Sequence, residues 1–232
     1  MNYVIGDIHN ELEKLKSILK QIELKPDDEL IVLGDVFDRG ADKPDPVGVY
    51  FELCKIQGKC TWVRGNHDQW LADYIKDYYS KSEKKQQRLQ PYWYNSFELM
   101  KNRLTPVDML NIADLILGLP LQVEKEINGK SYLFAHAMTS YPSVKEKAAY
   151  YLMGNYDYDS FLFAGIDGYI SMCGHTPTEN LPFRNDLYLD IAKSSIWCNE
   201  RKNVYLLDCG SGFGMGKLAC FCIETGERFY SS

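Results

Sequence analysis

The chain has 232 residues, of which 45% are hydrophobic and 25% charged, and its formal net charge is -6. This length favours one domain with one substantial core over residues 1–232, and the composition is that of a soluble globular protein. The acidic balance argues against a general nucleic-acid binder or a binder of acidic membranes.

The first third of the chain alternates strand-like and helix-like segments. We predict strands at Tyr3–Ile5, Glu29–Leu33 and Thr61–Val63, and helices over Glu11–Ile22 and Pro46–Ile56. The run ELIVL is continuously apolar, which is typical of a strand buried on both faces. Strands that alternate with helices predict a parallel βαβ core.

The middle of the chain, from about residue 77 to 104, is charged and aromatic, and we interpret it as an insertion. Its basic run KSEKKQQR is expected to be a solvated helical face or loop. Its aromatic run YWYNSF, residues 92–97, is expected to form local core, with base stacking as the alternative. A helix over Leu104–Leu117 should follow, because Thr105-Pro106 is a favourable cap and first-turn pair.

Strand-like segments return in the last part of the chain. The first two flank Asn128-Gly129, a strong hairpin signal. The predicted strands are Leu121–Ile127, Ser131–Ala135, Tyr169–Cys173, Val204–Asp208, Leu218–Ile223 and Arg228–Tyr230. The whole pattern predicts an α/β fold in which two mixed sheets pack together with helices outside, a four-layer α/β/β/α sandwich.

Targeting signals and cysteine pairs are not evident. The start MNYVIGDIHN lacks a basic region and a long apolar run, and no stretch approaches the roughly 18 to 20 apolar residues of a membrane span. The seven cysteines contain no CxxC pair. We therefore expect free thiols in a reducing cytoplasm and no membrane partner. A monomer is the default expectation.

All four histidines of the chain follow apolar, strand-like runs. They are His9, His67, His136 and His175. One histidine after a strand is more often structural than a ligand, but four there and none elsewhere are hard to explain by packing. Loops at the carboxyl ends of strands are where α/β sheets place their sites.

Oxygen ligands occur at the same kind of position. Asp7 lies two residues before His9, Asp35 follows LIVLG, and Asn66 follows WVRG. A mixed set of carboxylate, amide and imidazole groups suits Mn²⁺, Fe or Zn²⁺ better than Ca²⁺. Six candidate ligands are enough for two ions that share one bridging carboxylate.

These motifs together resemble a known family, the calcineurin-like metallophosphoesterases. The resemblance is greatest to the phosphoprotein phosphatase branch in its small bacterial and phage form. The motifs that carry it are GDIH (6–9), GDVFDRG (34–40), RGNHD (64–68), FAHA (134–137) and GHTP (174–177). The closing run LLDCGSGFGMGKLACFCIETGE also resembles that branch, so the likeness spans nearly the whole chain outside the insertion.

The resemblance implies a dinuclear metal site, with Mn most favoured and Fe or Zn as alternatives. It implies that Asp7 and His9 bind the first ion and that Asp35 bridges both. The second ion would be bound by Asn66, His136 and His175. A hydroxide activated by the two ions would then attack phosphorus.

The resemblance also implies roles for residues that bind no metal. His67 would protonate the leaving oxygen as general acid, and Asp38 would keep it protonated. Arg39 and Arg64 would hold the phosphoryl group. We interpret Asp68 as structural, a cap for a helix that starts near residue 69.

Two departures from the family pattern affect the expected substrate. Many relatives carry a phosphate-binding arginine some 20 residues after the position of His136, whereas this chain has none between Arg103 and Arg184. Arg184 is a candidate replacement. Pro177 lies where nuclease-type relatives have a second histidine, which favours the phosphomonoesterase branch.

The sequence thus favours a phosphomonoesterase acting on phosphoserine and phosphothreonine, and on phosphotyrosine as an extension, with a phosphoprotein or small phosphomonoester as partner. The enzyme alternative is symmetrical hydrolysis of diadenosine tetraphosphate, or phosphate removal from nucleotide or RNA ends. A non-catalytic scaffold is disfavoured, because all six ligand positions, His67 and Asp38 are retained.

Overall fold

The computed structural model describes residues 1–56, 58–181 and 191–232. The strands are β1 (Asn2–Ile5), β2 (Glu29–Val32), β3 (Lys59–Trp62), β4 (Gln122–Ile127), β5 (Lys130–Ala135), β6 (Tyr169–Cys173), β7 (Trp197–Cys198), β8 (Val204–Leu206), β9 (Ala219–Cys222) and β10 (Arg228–Tyr230). The helices are α1 (Leu12–Ile22), α2 (Pro46–Cys54), α3 (Asn66–Tyr79), α4 (Glu83–Gln86), α5 (Ser96–Lys101), α6 (Pro106–Gly118), α7 (Ala148–Met153) and α8 (Tyr158–Ala164).

The strands form two mixed sheets. The first has the order β10-β9-β1-β2-β3, and its three strands β1, β2 and β3 are parallel. The second has the order β4-β5-β6-β8-β7, with β5, β6 and β8 parallel. Each sheet therefore has a parallel centre, whose carboxyl ends lie at one edge.

Side-chain alternation along the strands divides the interior into layers. In β1, Tyr3 and Ile5 face the core under helices α1, α2, α3, α5 and α6, whereas Val4 faces a second core shared with the other sheet. Phe134 and Met172 of the second sheet contribute to that shared core. A third core packs α8 against the outer face of the second sheet. The predicted four-layer sandwich of two mixed sheets is confirmed.

Local sequence signals account for several element ends. Thr105 caps α6, because its Oγ1 accepts from the backbone N–H of Asp108 at 3.2 Å while the Asp108 carboxylate accepts from the N–H of Thr105 at 3.1 Å. The hairpin turn has Asn128 at φ 50° and Gly129 at φ 72°, in the left-handed region that such turns need. The predicted hairpin and cap are confirmed.

The predicted strands are present with ends shifted by up to two residues, whereas strand β7 and helices α5, α7 and α8 were not predicted. The start of α3 is a correction. This helix begins at Asn66 rather than near Gln69, so Asp68 lies at its third position and accepts from the N–H of Gly65 at 3.0 Å. The carboxylate of Asp68 also accepts from the N–H of Val36 at 2.9 Å, which ties the β2 loop to α3.

The insertion segment, residues 77–104, has two different halves. Most residues of the run 81–88 are exposed, as predicted for a solvated face. In the second half Phe97 and Met100 join the core under the helices, whereas the side chain of Trp93 is 92% exposed. Among the described residues, no helix is long and apolar enough to cross a membrane. That the whole chain forms one domain stays a prediction.

Candidate active site

All six predicted ligands follow parallel strands, five of them in loops and Asn66 as the first residue of a helix. Asp7 and His9 follow β1, Asp35 follows β2, and Asn66 opens the helix after β3. In the second sheet, His136 and His175 come directly after β5 and β6. Both sheets thus deliver polar side chains to one edge of the sandwich, where α/β folds bind ligands.

Unusual backbone conformations bring these side chains together. His9, Asp35 and His175 have φ values of 54°, 47° and 66°, in a region that side chains other than glycine rarely adopt. Two glycines allow close approach: a Cβ on Gly65 would clash with the Asp35 carboxylate, and one on Gly174 would clash with that of Asp7. The loops hold strained conformations that serve the cluster.

The first candidate metal position is formed by Asp7, His9 and Asp35, all buried. His9 Nε2 lies 3.8 Å from a carboxylate oxygen of Asp7 and 3.9 Å from one of Asp35. His9 Nδ1 lies 3.1 Å from the carbonyl oxygen of Phe37, which it can reach as donor, so that Nε2 keeps its lone pair for a metal. Burial lowers the pKa of His9 to about 3, which also keeps the imidazole neutral.

The second candidate position shares Asp35 and adds Asn66, His136 and His175. His136 Nε2 lies 2.9 Å from Asn66 Oδ1 and 3.3 Å from an Asp35 carboxylate oxygen. His175 Nδ1 lies 3.0 Å from the same Asn66 oxygen. His136 Nδ1 lies 2.8 Å from the carbonyl of Leu33, so this ring too can donate with one nitrogen and ligate with the other.

The electrostatics of the cluster fit divalent cations. Burial raises the pKa of the Asp7 carboxyl well above its usual range, and the nearby Asp208 raises it further. Burial disfavours charge on His136, but Asp35 and Asp7 outweigh burial and raise its pKa to about 10. Buried carboxylates thus draw a proton onto a potential ligand, and cations bound here would displace it. The donor set fits two ions bridged by Asp35.

Asp208 is a site residue that the sequence reasoning missed. It is buried directly beyond β8, and its Oδ1 accepts from the N–H of Gly210 at 2.8 Å. Burial raises the pKa of Asp208 to about 6. The signal was available, because an aspartate at the end of a parallel strand is the pattern that identified Asp7 and Asp35.

His67 and Asp38 are brought together beside the cluster. His67 Nδ1 lies 3.1 Å from Asp38 Oδ2, and both side chains are buried. The backbone N–H of His67 donates to Asp35 Oδ1 at 2.9 Å, which fixes this residue to the shared ligand. The His67 ring contacts Trp70 and Tyr94, with centroid distances of 4.9 and 4.4 Å.

The insertion segment supports this pair from the other side. The Tyr92 hydroxyl donates to Asp38 Oδ2 at 2.6 Å, and the N–H of Asp38 donates to Ser96 Oγ at 2.7 Å. The side chain of Asn95 donates to the carbonyl of Arg39 at 2.6 Å. The sequence reasoning did not assign these residues to the site, and no local pattern marks them.

The two predicted phosphate-binding arginines differ in their surroundings. The Arg39 guanidinium lies 5.1 Å from the Phe213 ring centroid and forms no ion pair with a carboxylate of the described residues. Its charge contributes to lowering the pKa values of His9 and His175, for which burial is the main cause. Arg39 is therefore close to the ligands.

Arg64 is occupied by other contacts. Its guanidinium donates to the carbonyls of Leu117 and Leu119 at 2.5 and 2.8 Å, and to Gln69 at 2.6 Å. These contacts tie the β3 loop to the end of α6. Phosphate binding by Arg64 stays a prediction, and it would require some of them to be exchanged. Arg184 lies outside the described residues.

Comparison with known proteins agrees with the geometry. The sequence model of the calcineurin-like phosphoesterase family matches residues 3–220. The chain belongs to this family. It is a phosphoester hydrolase by family, and the family's dinuclear divalent metal site corresponds to the two candidate clusters around Asp35. The family resemblance inferred from the motifs is confirmed.

Three relatives are similar in sequence, and the names of two of them state an activity. Uncharacterized protein MJ0912 of Methanocaldococcus jannaschii is 29% identical over 97% of this chain and 83% of its own length. The symmetrical bis(5'-nucleosyl)-tetraphosphatase of Erwinia tasmaniensis is 39% identical over 30% of this chain and 24% of its own. Serine/threonine-protein phosphatase 1 of Salmonella typhimurium is 38% identical over 31% of both chains. The last two similarities are short and nearly equal, so they do not distinguish the substrate.

Proposed function

We propose that this family member is a phosphomonoesterase that removes phosphate from phosphoserine and phosphothreonine in proteins. The observation that carries the proposal is the buried His67–Asp38 pair, which lies next to the shared carboxylate Asp35. A proton donor beside a dinuclear ligand set is what cleavage of an alkyl phosphate requires, because an alkoxide is a poor leaving group.

Each residue then has a separate task. His67 donates its Nε2 proton to the leaving oxygen, and the carboxylate of Asp38 orients the ring by accepting a hydrogen bond from Nδ1. Arg39 binds the non-bridging phosphate oxygens from the side of Phe213. Two divalent cations held by Asp7, His9, Asp35, Asn66, His136 and His175 would supply a hydroxide near neutral pH.

The charge beside His67 favours a protein substrate over a dinucleoside tetraphosphate. The cavity next to His67 is lined by aromatic residues and by Asp73 and Asp77, and its described lining contains no lysine or arginine. Symmetrical hydrolysis of diadenosine tetraphosphate releases a nucleoside diphosphate, an anion that the carboxylate of Asp73 would repel. A phosphoserine leaves as a neutral alcohol.

The second candidate function is symmetrical hydrolysis of dinucleoside tetraphosphates. The similarity to the Erwinia tasmaniensis enzyme favours it.

Manganese is the proposed metal for either reaction, since the ligands mix imidazole nitrogens and carboxylate oxygens, and Fe or Zn also suits this set. A cytoplasmic location is proposed because all seven cysteines are free thiols.

The test uses protein that has been stripped of metal and then loaded with Mn²⁺. We expect fast release of phosphate from para-nitrophenyl phosphate, little cleavage of bis(para-nitrophenyl) phosphate, and no activity before Mn²⁺ is added. A phosphoserine peptide should then be a better substrate than diadenosine tetraphosphate by kcat/KM. Faster cleavage of the dinucleotide, or of the diester, would contradict the proposal.

A further inference from the structure

An aromatic cavity of about 610 Å³ opens beside the His67–Asp38 pair. We define it as the aromatic pocket, and the residues used below are Trp70, Asp73, Asp77, Tyr92, Trp93 and Tyr94. None of them is a candidate metal ligand, and all six lie outside the motifs of the family resemblance. Of the six, Tyr92 alone packs against a core cluster.

The aromatic pocket is continuous with the candidate active site. The Trp70 and Tyr94 rings contact the His67 ring, and the hydroxyl of Tyr92 donates to the carboxylate of Asp38 at 2.6 Å. Since His67 is the group proposed to protonate the leaving oxygen, whatever occupies this pocket belongs to the leaving-group side of the substrate.

The lining has the chemistry of a site for an organic cation. Trp70 and Tyr94 are parallel, with an interplanar angle of 1°. Trp93 is 92% exposed, which leaves a large indole face open to a ligand. Aromatic faces attract guanidinium and ammonium groups, and nearby carboxylates strengthen that attraction.

The carboxylates of the pocket differ in how far they are already neutralised. Asp77 forms an ion pair with Lys81. Asp73 accepts from the neutral amide of Gln69 at 2.9 Å, and no lysine or arginine of the described residues forms an ion pair with it. Asp73 is therefore the pocket carboxylate that is available to form an ion pair with a cationic ligand.

We propose that the aromatic pocket binds an arginine or lysine side chain that lies within about two residues of the phosphorylated residue in a protein substrate. This proposal rests on the proposed phosphatase function. Two extended residues span about 7 Å, so a basic side chain at these positions lies close to the reacting phosphate. The pocket begins at the His67 ring, which Trp70 and Tyr94 contact, so a long basic side chain there can enter it.

The test compares phosphoserine peptides that differ at one residue. Arginine, its neutral isostere citrulline, or glutamate is placed at each of the two positions before and after phosphoserine. The readout is kcat/KM for phosphate release by the Mn²⁺-loaded protein. We expect the arginine peptide to exceed the citrulline peptide about tenfold at one or more positions, and the glutamate peptide to be the poorest.

Two variants assign the preference to the pocket. Trp93→Ala and Asp73→Asn should bring the arginine-to-citrulline ratio close to one. Tyr156→Ala is the matched control, because Tyr156 is equally exposed, at 93%, and lies outside the pocket. This control should keep the wild-type ratio, and thermal melting should show that all three variants are folded.

The outcomes separate this proposal from the proposed function. A wild-type ratio close to one, or a ratio that persists in both pocket variants, overturns the cation site while phosphopeptide hydrolysis stands. The cation site is also overturned if the protein prefers phosphotyrosine peptides with or without basic residues and Trp93→Ala removes that preference. The pocket would then bind the aromatic leaving group. Cleavage of diadenosine tetraphosphate without cleavage of any phosphopeptide overturns the proposed function itself.

Discussion

The strand-end loops and the insertion segment build the same site by different physical means. Every candidate metal ligand follows a strand, and its place is set by the pairing of that strand within a sheet. The insertion segment provides no candidate ligand. It provides residues that support the His67–Asp38 pair. The Tyr92 hydroxyl donates to the Asp38 carboxylate, and Ser96 Oγ accepts from the backbone N–H of Asp38. The Tyr94 ring contacts the ring of His67.

This difference suggests that metal binding and leaving-group recognition can vary independently. The ligands lie on the parallel centres of two sheets that share a core, so they move little relative to one another. The insertion segment adds Tyr94 against the His67 ring and Tyr92 against Asp38, and no strand pairing holds this segment in place. Changes in the insertion segment should therefore alter the rate or the substrate and leave the metal site intact.

The largest expected effect comes from the shared ligand. Replacing Asp35 by asparagine removes the negative charge that both candidate metal positions share. We expect kcat with para-nitrophenyl phosphate to fall by more than about 100-fold, because replacing a residue that only hydrogen-bonds to a metal ligand already costs about 10- to 100-fold. Mn²⁺ content by mass spectrometry should fall below two ions per chain. Asp167→Asn, which removes an exposed carboxylate, is the control. Wild-type turnover in Asp35→Asn would refute the site.

Replacing His67 should separate acid catalysis from metal binding. In His67→Asn we expect kcat on a phosphoserine peptide to fall by about 10²- to 10⁴-fold while Mn²⁺ content is unchanged. The loss should be smaller with para-nitrophenyl phosphate, because nitrophenolate leaves without needing a proton. An equal loss on both substrates, or a loss of metal, would show that His67 is not the acid.

Tyr92 tests whether the insertion segment contributes to rate. Tyr92→Phe removes the hydrogen bond to Asp38, and a bond to a charged group is worth about 1.5–3 kcal/mol. If the transition state needs this bond, kcat should fall by about 10- to 150-fold with normal Mn²⁺ content. Tyr74→Phe is matched, since Tyr74 belongs to the same aromatic group but its hydroxyl donates to the carbonyl of Gln90. Equal activity in the two variants would remove Tyr92 from the supporting role.

The smallest effect concerns the border of the insertion segment. Thr105→Ala removes the cap of α6 and should lower the free energy of unfolding in urea by about 1 kcal/mol. Activity should not change, because the start of α6 contacts the last residue of α3, where the Tyr79 hydroxyl donates to Met109, and the ligand Asn66 is at the other end of α3. Val107→Ala, an exposed change in the same turn, should cost less than about 0.5 kcal/mol. A large loss of activity in Thr105→Ala would show that segment stability and catalysis are coupled.

Most of the fold followed from local patterns. The strands and the helices α1, α2 and α6 carry clear periodicity, capping or hairpin signals, and the structure bears them out. Helices α7 and α8 were missed because they are only six and seven residues long and end at Gly154 and Gly165, which read as loop signals. The start of α3 was predicted too late, because Asp68 was interpreted as the residue that precedes and caps the helix. Asp68 is instead the third residue of the helix, and its carboxylate accepts from the N–H of Gly65.

The sequence by itself determined which residues form the candidate metal site. Aspartate, asparagine and histidine follow apolar strands, and parallel strands end at one edge of a sheet. Tertiary structure alone decided what surrounds the proposed acid and how the arginines differ. The Asn10 side chain is hydrogen-bonded to Asn95, 85 residues away in the sequence, and Arg64 to the carbonyl of Leu117, 53 residues away. Contacts between residues so far apart in the sequence depend on how helices pack over the sheet. Local patterns reflect backbone preference and burial, whereas these partners depend on packing between distant segments.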